Sequence, residues 1–446
     1  MRESVSAVFI SRKNKTLFSM KRQDYLSVFP GYTSFPGGKV DKSDRESQKT
    51  APEKFSDSIT DIHWNALSRE MSEELHFDLN DHQDDILEIY LLGTAVTPEF
   101  NPYRFKSYFY IVVLDQEYPF VVDEGETYSS EWVQAESLFD RYNRGEVLAV
   151  PPTVQMIATL ASDLNSRGPL DFKLETIEER EVPMIESVKG VKQFLPLSHT
   201  FPPANRTNCF IVGDAPDRYL VDPSPRDRNE FEKLCRSIDH YGFDHIFISH
   251  HHPDHHEHLK WMVERYQSKV FLSAKTKELI LKKYGSDYFE GMELHLLKEG
   301  DIIGTSLGSP LVVYEVPGHD EGQLALAPKN LNWFFVGDLI QTIGTVVIGG
   351  EEGDMAKYFS SLQRVIDLCP KVLFPSHGIA LGGVKKLEKT LKHRLLREQK
   401  IKELMGEGKD EEEILAIVYE GLEDKLIPYA RKTIAAHMCK ILAEKS

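Results

Sequence analysis

Cysteine and long apolar runs are both scarce in this sequence. The four cysteines show no Cys-x-x-Cys spacing, which argues against a disulfide framework and indicates reduced thiols. They are Cys209, Cys235, Cys369 and Cys439. Charged residues closely follow the first strand-like run, and no apolar run reaches membrane-spanning length. We therefore expect a cytoplasmic protein that has no membrane partner.

Basic residues are fewer than acidic ones. The chain has 53 Lys and Arg against 70 Asp and Glu, a formal net charge of −17. This balance argues against a general nucleic-acid or membrane-surface binder, although a local basic patch remains open. Internal repeats and low-complexity tracts are also missing. The 446 residues, of which 41% are hydrophobic, suffice for about three domains with packed cores.

Histidine, by contrast, is concentrated in residues 249–256, Ser-His-His-His-Pro-Asp-His-His. An apolar run precedes this stretch and predicts a buried strand that supports it. Taken as His-x-His-x-Asp-His, the stretch offers four side chains: His250, His252, Asp254 and His255. Neutral imidazoles and a carboxylate are ligands that suit zinc. A solvated histidine-rich loop is the simpler alternative.

Three later apolar runs each end in a further metal-binding side chain. These are His319 after Pro-Gly, Asp338 after Val-Gly, and His377 in Ser-His-Gly. Any one of them alone is more typical of an ordinary turn. Together with the histidine cluster, four strand ends in one domain predict a metal centre.

The order of these motifs resembles the metallo-β-lactamase superfamily. The resemblance implies an αββα sandwich that holds two zinc ions. It assigns His250, His252 and His319 to one ion, and Asp254, His255 and His377 to the other. Asp338 would lie between the two ions and bind both. The resemblance also makes Asp222, in Leu-Val-Asp-Pro-Ser, an orienting residue behind the ligands. His256, Glu257 and His258 stand where the family often has small residues beside its substrate groove.

The chemistry implied is hydrolysis by a hydroxide that bridges two cations. An ester, thioester, amide or phosphodiester would be open to such attack. We expect a small-molecule ester or thioester, with Asp254 as the candidate catalytic carboxylate of this site.

A second constellation lies near the N-terminus. Residues 29–41 contain two Pro-Gly steps, which indicate a constrained loop whose own backbone closely approaches another group. In residues 66–77, apolar residues recur every four positions and predict an amphipathic helix. Three carboxylates share one face of it: Glu70, Glu73 and Glu74. Mg²⁺ or Mn²⁺ bridged to a substrate phosphate would relieve their repulsion, whereas an ordinary solvated acidic face is the alternative.

The glycine loop and this helix together resemble the Nudix box, Gly-Gly followed by Arg-Glu-x-x-Glu-Glu, with a polar insertion at residues 42–63. The resemblance implies that Glu70, Glu73 and Glu74 bind Mg²⁺ or Mn²⁺. It makes Gly37, Gly38 and Arg69 substrate-binding residues, and Arg69 would also orient the carboxylates. Asp61 occupies the spacing of the box's earlier Glu, and His76 that of its late glycine.

Residues 20–38, Thr97-Pro98-Glu99-Phe100 and Pro151-Pro152-Thr153 look like the coenzyme A diphosphatase branch that carries an insertion in its box. The implied reaction is attack of water on a diphosphate of a coenzyme A-like compound or a nucleotide, with metal neutralising the phosphoryl charge. Glu74, Glu124 or Glu126 would take the proton of the water. Alternatively, this part is a binding module without activity.

After Gly378 the sequence predicts helices at 384–404, 411–419 and 428–442. This tail is similar to the C-terminal helical domain of the lactamase-beta-like protein 2 branch, which includes single-stranded RNA endonucleases. Six basic residues favour a solvated helix face, with a phosphate patch as the alternative: Lys385, Lys386, Lys389, Lys392, Arg394 and Arg397. RNA is therefore a possible partner, and an RNA endonuclease with a Nudix binding module is the alternative function.

The fold class that follows is a multidomain α/β and α+β protein. A Nudix α/β/α sandwich is expected at 1–161 and a linker at 162–192. A metallo-β-lactamase αββα sandwich is expected at 193–383, and a helical, winged-helix-like subdomain at 384–446. The whole chain is predicted to be a two-domain metal-dependent hydrolase.

Overall fold

The computed structural model describes residues 1–98, 104–173 and 179–444. The chain divides into two compact units. The first comprises residues 1–175 with 185–189, and the second comprises 176–184 with 190–446. Glu99 and Phe100 of the predicted coenzyme A motif lie outside the described residues, as do residues 174–178 of the predicted linker.

The first unit is built on one eight-stranded sheet. Its strands are β1 (Arg2–Ser11), β2 (Thr16–Arg22), β3 (Thr33–Ser34), β4 (Gly37–Lys39), β5 (Ile86–Val96), β6 (Phe105–Leu114), β7 (Thr127–Val133) and β8 (Leu170–Asp171). The order is β3-β2-β1-β6-β5-β8, with β4 paired to β1 and β7 to β2. Its helices are α1 (Lys42–Glu46), α2 (Asp61–Leu75), α3 (Ala135–Asn143) and α4 (Pro151–Ser162), with 3₁₀ turns at Glu53–Phe55 and Gln83–Asp85.

Strand β1 separates two cores because alternate residues of a strand face opposite sides of the sheet. Val5, Ala7 and Phe9 pack with α2, whereas Val8 and Ile10 pack with α3 and α4. The first unit is therefore layered as α/β/α.

The predicted acidic helix is α2, and it starts five residues earlier than expected. Thr60 caps it by accepting a hydrogen bond from the His63 backbone N–H, and His76 ends it in the left-handed conformation at φ 51°. The insertion before α2 is partly buried. Its Phe55 ring lies against Trp64 of the helix, with the ring centroids 5.8 Å apart.

The second unit contains two sheets. The first runs in the order β15-β14-β13-β12-β11-β10 and the second β16-β17-β18-β19-β20-β21. The strands are β10 (Val191–Phe194), β11 (Cys209–Val212), β12 (Tyr219–Val221), β13 (His245–Phe247), β14 (Lys269–Ser273), β15 (Leu294–Leu297), β16 (Ile302–Ser306), β17 (Ser309–Glu315), β18 (Leu324–Pro328), β19 (Phe334–Gly337), β20 (Val372–Pro375) and β21 (Leu381–Gly382). The strand β9 (Met184–Val188) lies at the division of the chain.

The helices of the second unit complete its layers. They are α5 (Arg228–Asp239), α6 (Pro253–His256), α7 (Leu259–Tyr266), α8 (Ala274–Tyr284), α9 (Met355–Leu368), α10 (Lys385–Gly406), α11 (Glu411–Val418) and α12 (Ile427–Ala443), with a 3₁₀ turn at Asp424–Leu426. Phe210 of the first sheet contacts Phe335 and Phe374 of the second, with centroids 5.4 and 5.8 Å apart. Helices α5 and α7 share a core with the first sheet, and α9 shares one with the second. This is the αββα arrangement that the family resemblance implied.

Helices α10, α11 and α12, which we call the C-terminal helices, confirm the three predicted helical segments. Residues such as Ile401, Ile414 and Ile434 form a small core among them. Within the described parts of the chain, no helix combines the length and the apolar character needed to cross a membrane.

Candidate functional site

The strand ends predicted to carry metal ligands converge in the second unit. His250, His252, His319 and Asp338 each offer one ligand atom, and these atoms all lie within 4.8 Å of one another. His252 Nδ1 is at the centre, 3.0 Å from His250 Nε2 and 3.0 Å from His319 Nε2. Strands of both sheets contribute, since His250 follows β13 and Asp338 follows β19.

The other three predicted ligands form a neighbouring cluster. Asp254 Oδ2 lies 3.7 Å from His255 Nε2 and 3.5 Å from His377 Nε2. His377 follows β20, which places it beside the turn that carries Asp254 and His255.

Asp338 faces both clusters. Its Oδ2 lies 3.6 Å from His319 Nε2 and 3.7 Å from His255 Nε2, and its Oδ1 lies 3.4 Å from His377 Nε2. A carboxylate between two groups of nitrogen ligands can share its oxygens between two cations. The geometry therefore offers two adjacent cation positions.

The ring tautomers show whether these residues fit a cation. His319 Nδ1 donates to the Val347 carbonyl at 2.9 Å, and His377 Nδ1 donates to the Arg206 carbonyl at 3.0 Å. Since a carbonyl only accepts, the Nε2 atom of each neutral ring carries a lone pair that points inward. Within the described residues, the buried atoms His255 Nε2 and Asp338 Oδ1 have no hydrogen-bond partner. Inward lone pairs and orphaned buried acceptors fit a divalent cation.

Asp222 holds two of the rings from behind. Its carboxylate accepts from the Ser249 backbone N–H at 2.8 Å and the Ser249 hydroxyl at 2.6 Å, and His255 Nδ1 donates to it at 2.9 Å. The Ser249 oxygen in turn lies 3.0 Å from His250 Nδ1. The hydrogen on each Nδ1 leaves Nε2 free to bind metal, which is the orienting role expected of Asp222.

The electrostatics differ between the two clusters. The first favours neutral imidazoles, whereas in the second burial opposes the ring charge but Asp254 and Asp338 still raise the pKa of His255 and His377. Burial lowers the pKa of His319 to about 4, and burial with the neighbouring His255 holds the pKa of His250 well below its usual range. Burial disfavours the charge on Asp338, yet His377 and His255 hold its pKa well below the ordinary carboxyl range. Neutral rings and a carboxylate that stays ionised are the forms that bind a metal.

His256 has a structural role. It is buried, its Nδ1 lies 2.6 Å from the Tyr288 hydroxyl, and its Nε2 donates to the His251 carbonyl at 2.9 Å. His256, which follows the last ligand of the histidine cluster, is therefore part of the packed interior of the second unit.

The motifs did not reveal two residues at this site. Thr207 donates a hydrogen bond to Asp254 Oδ2 at 3.2 Å, and Glu352 Oε1 lies 3.8 Å from His252 Nε2. Both come from loops that carry no ligand of their own. Their positions depend on long-range packing, which leaves no short pattern in the sequence.

In the first unit, the glycine loop meets the acidic helix. The Gly37 backbone N–H donates to Glu74 Oε2 at 2.9 Å. A Cβ at Gly37, whose φ is +147°, would overlap the Val5 carbonyl, and one at Gly38 would overlap the Glu70 carboxylate. The two glycines therefore let the loop lie against the carboxylates.

Burial changes the acidity of two of these carboxylates. It raises the pKa of Glu74 to about 8 and raises that of Glu70, whereas Glu73 is exposed. A cation beside them would offset this cost of burying charge. Of the candidate loop acids, Glu126 is near enough to raise the pKa of Glu74 further. The same loop is tied to α2, since the Asp123 backbone N–H donates to the Glu74 carbonyl at 2.9 Å.

Arg69 is fixed by a residue that the spacing did not identify. Its guanidinium donates to both carboxylate oxygens of Asp44, at 3.1 and 3.0 Å, and it pairs with Glu70 at 2.9 Å and Glu73 at 3.2 Å. Asp61 instead accepts from the Ala51 backbone N–H at 2.8 Å. Asp61, which occupies the spacing of the absent earlier Glu, therefore does not pair with Arg69, and Asp44 is the acid that does.

Comparison with known proteins bears on the second unit. The model of the family described as the metallo-beta-lactamase superfamily matches residues 202–377. This range contains all seven predicted ligands. This match supports a domain of the metallo-β-lactamase fold in the second unit, which we call the metallo-β-lactamase domain.

Some relatives of this domain carry the names of hydrolytic enzymes. A beta-lactamase-like protein 2 homolog of Drosophila melanogaster is 26% identical over 53% of this chain and 82% of its own length. A hydroxyacylglutathione hydrolase of Nitrosomonas europaea is 32% identical over 31% of this chain and 48% of its own. An atrochrysone carboxyl ACP thioesterase of Pseudocercospora fijiensis is 24% identical over 44% and 54%. The chain is a hydrolase.

A solved structure shares the fold of the metallo-β-lactamase domain. A beta-lactamase domain protein from Burkholderia ambifaria superposes with a TM-score of 0.50 at 20% identity, over 59% of this chain and 88% of that one. A NUDIX hydrolase from Alicyclobacillus acidocaldarius covers 38% of this chain and 98% of its own at 22% identity, with a TM-score of 0.31. A TM-score of 0.31 is too low to show the fold of the first unit.

The basic residues that follow the metallo-β-lactamase domain do not all face solvent. Arg394 is buried and donates to the Val346 carbonyl at 2.5 Å, and Arg397 is half-buried and donates to the Tyr419 hydroxyl at 2.6 Å. Lys389 and Lys392 are the exposed members of the six. The predicted phosphate patch is thus smaller than the sequence suggested.

The pairing of Asp44 with Arg69 predicts different effects for two similar substitutions. Asp44→Asn removes the charge that holds Arg69, so we expect it to weaken Mn²⁺ binding by the first unit about 10-fold, as is common for residues that support metal ligands. Asp61→Asn, the matched control, should leave that affinity unchanged. Calorimetric Mn²⁺ titration of protein already saturated with zinc measures both. A larger loss in Asp61→Asn than in Asp44→Asn would reverse the assignment.

Proposed function

We propose that this hydrolase carries two different metal-dependent activities. The metallo-β-lactamase domain would hydrolyse a small ester or thioester at a dinuclear zinc centre. The first unit, as a Nudix domain, would cleave a diphosphate with Mg²⁺ or Mn²⁺. The observation that carries the first proposal is Asp338, whose two carboxylate oxygens lie within 3.7 Å of histidine nitrogens from both clusters.

Zinc would be held by the seven residues of the two clusters, and when bound it supplies the Lewis acidity that activates water and polarises the scissile bond. The chain supplies orientation and proton transfer. Asp222 and the Val347 carbonyl keep the rings of His255 and His319 in the tautomer with Nε2 inward. Asp254 Oδ2, which accepts a hydrogen bond from Thr207, is the carboxylate we assign to take the proton of the attacking water.

Three observations favour a small acyl substrate over RNA. Two relatives are named as a thioesterase and a hydroxyacylglutathione hydrolase. The net charge of −17 repels a polyanion at long range. Arg394 and Arg397 are engaged within the fold, so they do not contribute to a phosphate patch. RNA cleavage is the second candidate, and it rests on the exposed Lys389 and Lys392 beside the domain.

For the first unit, the proposal rests on three carboxylates gathered around one arginine. Glu70 and Glu74 are largely buried, Glu73 is exposed, and Arg69 with Asp44 fixes the helix face on which they lie. These are hard oxygen ligands on a rigid support, which suit Mg²⁺ bound to a diphosphate. Glu74 is the proposed proton acceptor, with Glu124 and Glu126 as alternatives. A coenzyme A-like or nucleotide diphosphate is the expected substrate, and a binding module without turnover is the alternative.

The dinuclear centre predicts about two equivalents of zinc in the purified protein. His252→Ala and His377→Ala should each lower the zinc content, because each removes a ligand from a different cluster. His258→Ala is a matched control, since His258 lies in the same histidine-rich segment but stacks on Trp261 with the centroids 3.8 Å apart. Elemental analysis with protein quantification measures the ratio. Unchanged zinc in both ligand variants would refute the site.

Substrate class is tested by offering acyl thioesters and single-stranded RNA at several salt concentrations. We expect thioester turnover that Asp254→Ala abolishes and that Lys389→Glu with Lys392→Glu leaves unchanged, because a small substrate needs no phosphate patch. RNA cleavage would instead weaken steeply with salt, since phosphate contacts release counterions. Salt-sensitive RNA cleavage that disappears with the two lysine substitutions would overturn the order of the candidates.

The diphosphatase proposal predicts that Glu73→Gln and Glu74→Gln each lower Mg²⁺-dependent cleavage of coenzyme A or nucleotide diphosphates, by at least about 10²-fold for Glu74 as the proton acceptor. Both variants should keep their zinc. Glu46→Gln, at an exposed acid of α1, controls for the loss of one negative charge. If the folded wild type turns over none of these diphosphates yet binds one, the binding-module alternative is correct.

A further inference from the structure

The segment between β19 and α9 contacts the ligand residues at several points. We call residues 341–354 the supporting loop. Its Val347 carbonyl accepts from His319 Nδ1 at 2.9 Å, and its Glu352 carboxylate lies 3.8 Å from His252 Nε2. The Asp354 backbone N–H donates to the Gly318 carbonyl at 2.9 Å, next to His319. The loop therefore reaches the outer side of two rings that face the first zinc position.

The position of this loop matters because the outer hydrogen bond decides which ring nitrogen faces the metal. If the Val347 carbonyl moves away, His319 can adopt the other tautomer, and its Nε2 then carries a hydrogen instead of a lone pair. Loss of such an outer partner commonly costs 10–100-fold in metal affinity.

The C-terminal helices hold the loop from two sides. Arg394 of α10 donates to the Val346 carbonyl at 2.5 Å, one residue before Val347. At Gly349, where φ is +136°, a Cβ would overlap the Lys432 carbonyl of α12, so the loop backbone lies directly on that helix. Both contacts are made to the backbone, and they fix the path of the chain on either side of Val347.

Arg394 also lies near Tyr358, a residue that is hydrogen-bonded to the backbone next to Asp338. Its guanidinium is 5.9 Å from the ring centroid of Tyr358, and the Tyr358 hydroxyl donates to the Leu339 carbonyl at 2.8 Å. The arginine is 2% exposed. Burying a guanidinium costs free energy unless its donors are used, and the donor to Val346 is used on the loop that supports His319.

We propose that Arg394 is a positioning residue for the first zinc site, and that through it the C-terminal helices set the affinity of that site. The inference rests on the dinuclear centre of the proposed function. Arg394 keeps Val346 in place, and Val347 keeps the His319 ring in its metal-binding tautomer. The loop meets the second position elsewhere, where the Thr342 backbone N–H donates to the His377 carbonyl at 3.1 Å, and none of the contacts that link Arg394 to His319 involves that residue.

The test is a metal titration of Arg394→Met, a substitution that removes the donor while filling much of the same volume. We expect the affinity for one of the two ions to fall by about 10-fold or more while the other is retained. Cobalt binding followed by absorption spectroscopy separates the two sites, with His319→Ala as the reference spectrum for a damaged first site. Arg397→Met is the matched control, because Arg397 lies one turn further along α10 and donates to the Tyr419 hydroxyl instead.

A second variant reaches the same loop without touching the arginine. Gly349→Ala pushes the loop away from Lys432, so it should weaken the same ion selectively, and it carries the test if Arg394→Met does not fold. The thermal midpoint of the metal-free protein is measured alongside.

Wild-type affinity for both ions in Arg394→Met and Gly349→Ala would overturn the inference and leave the proposed centre intact. Equal weakening of both ions, together with a lowered midpoint of the metal-free protein, would show that Arg394 acts only on stability. A wild type that binds no metal at all overturns the proposed centre and this inference together.

Discussion

The second unit is organised around the problem of keeping several buried nitrogen lone pairs and two carboxylates within a few ångströms of each other. His252 Nδ1 faces two further ring nitrogens at 3.0 Å, and Asp338 lies between the two clusters. No pairing among these groups satisfies all of them, so a cation is the partner that suits them. The two sheets must pack correctly before the site exists, since β13, β19 and β20 each deliver part of it. Correct folding of the sandwich is therefore a condition for the site.

The two candidate centres differ in the hardness of their ligands. The second unit gathers imidazoles on turns that leave buried strands, whereas the first gathers carboxylates on a helix. Arg69 already neutralises part of the charge of the first group. On the proposed function, one chain thus offers a nitrogen-rich site for zinc and an oxygen-rich site for a harder ion. Because the ligand types are distinct, the two proposed sites would favour different metals.

The sequence was most informative where chemistry and strand periodicity coincide. Apolar runs that end in His319, Asp338 and His377 identified both the strands and the side chains brought together. This worked because a buried strand fixes the position of the residue that directly follows it. The sequence was least informative where the partner lies across an insertion or on a distant helix. Asp44 was missed because the insertion separates it from Arg69, and Arg394 was grouped with exposed lysines because a run of basic residues does not show which of them points inward. The αββα layers were implied by the family resemblance and the C-terminal helices by the sequence pattern, whereas the residues that orient the ligands needed the tertiary structure.

The insertion before α2 has become part of the core of the first unit. Ala51, Phe55 and Ile59 are buried in the same cluster as Trp64, and Phe55 lies flat against that tryptophan. Removing a buried phenylalanine side chain typically costs about 3–5 kcal/mol, so a shorter connection would open a cavity beside the helix that carries the carboxylates. Evolution can add such a segment in small steps. Once Phe55 fills that space, however, deleting the segment destabilises the first unit, so the insertion is easier to gain than to lose. Descendants of this chain can vary the exposed ends of the insertion more readily than they can lose it.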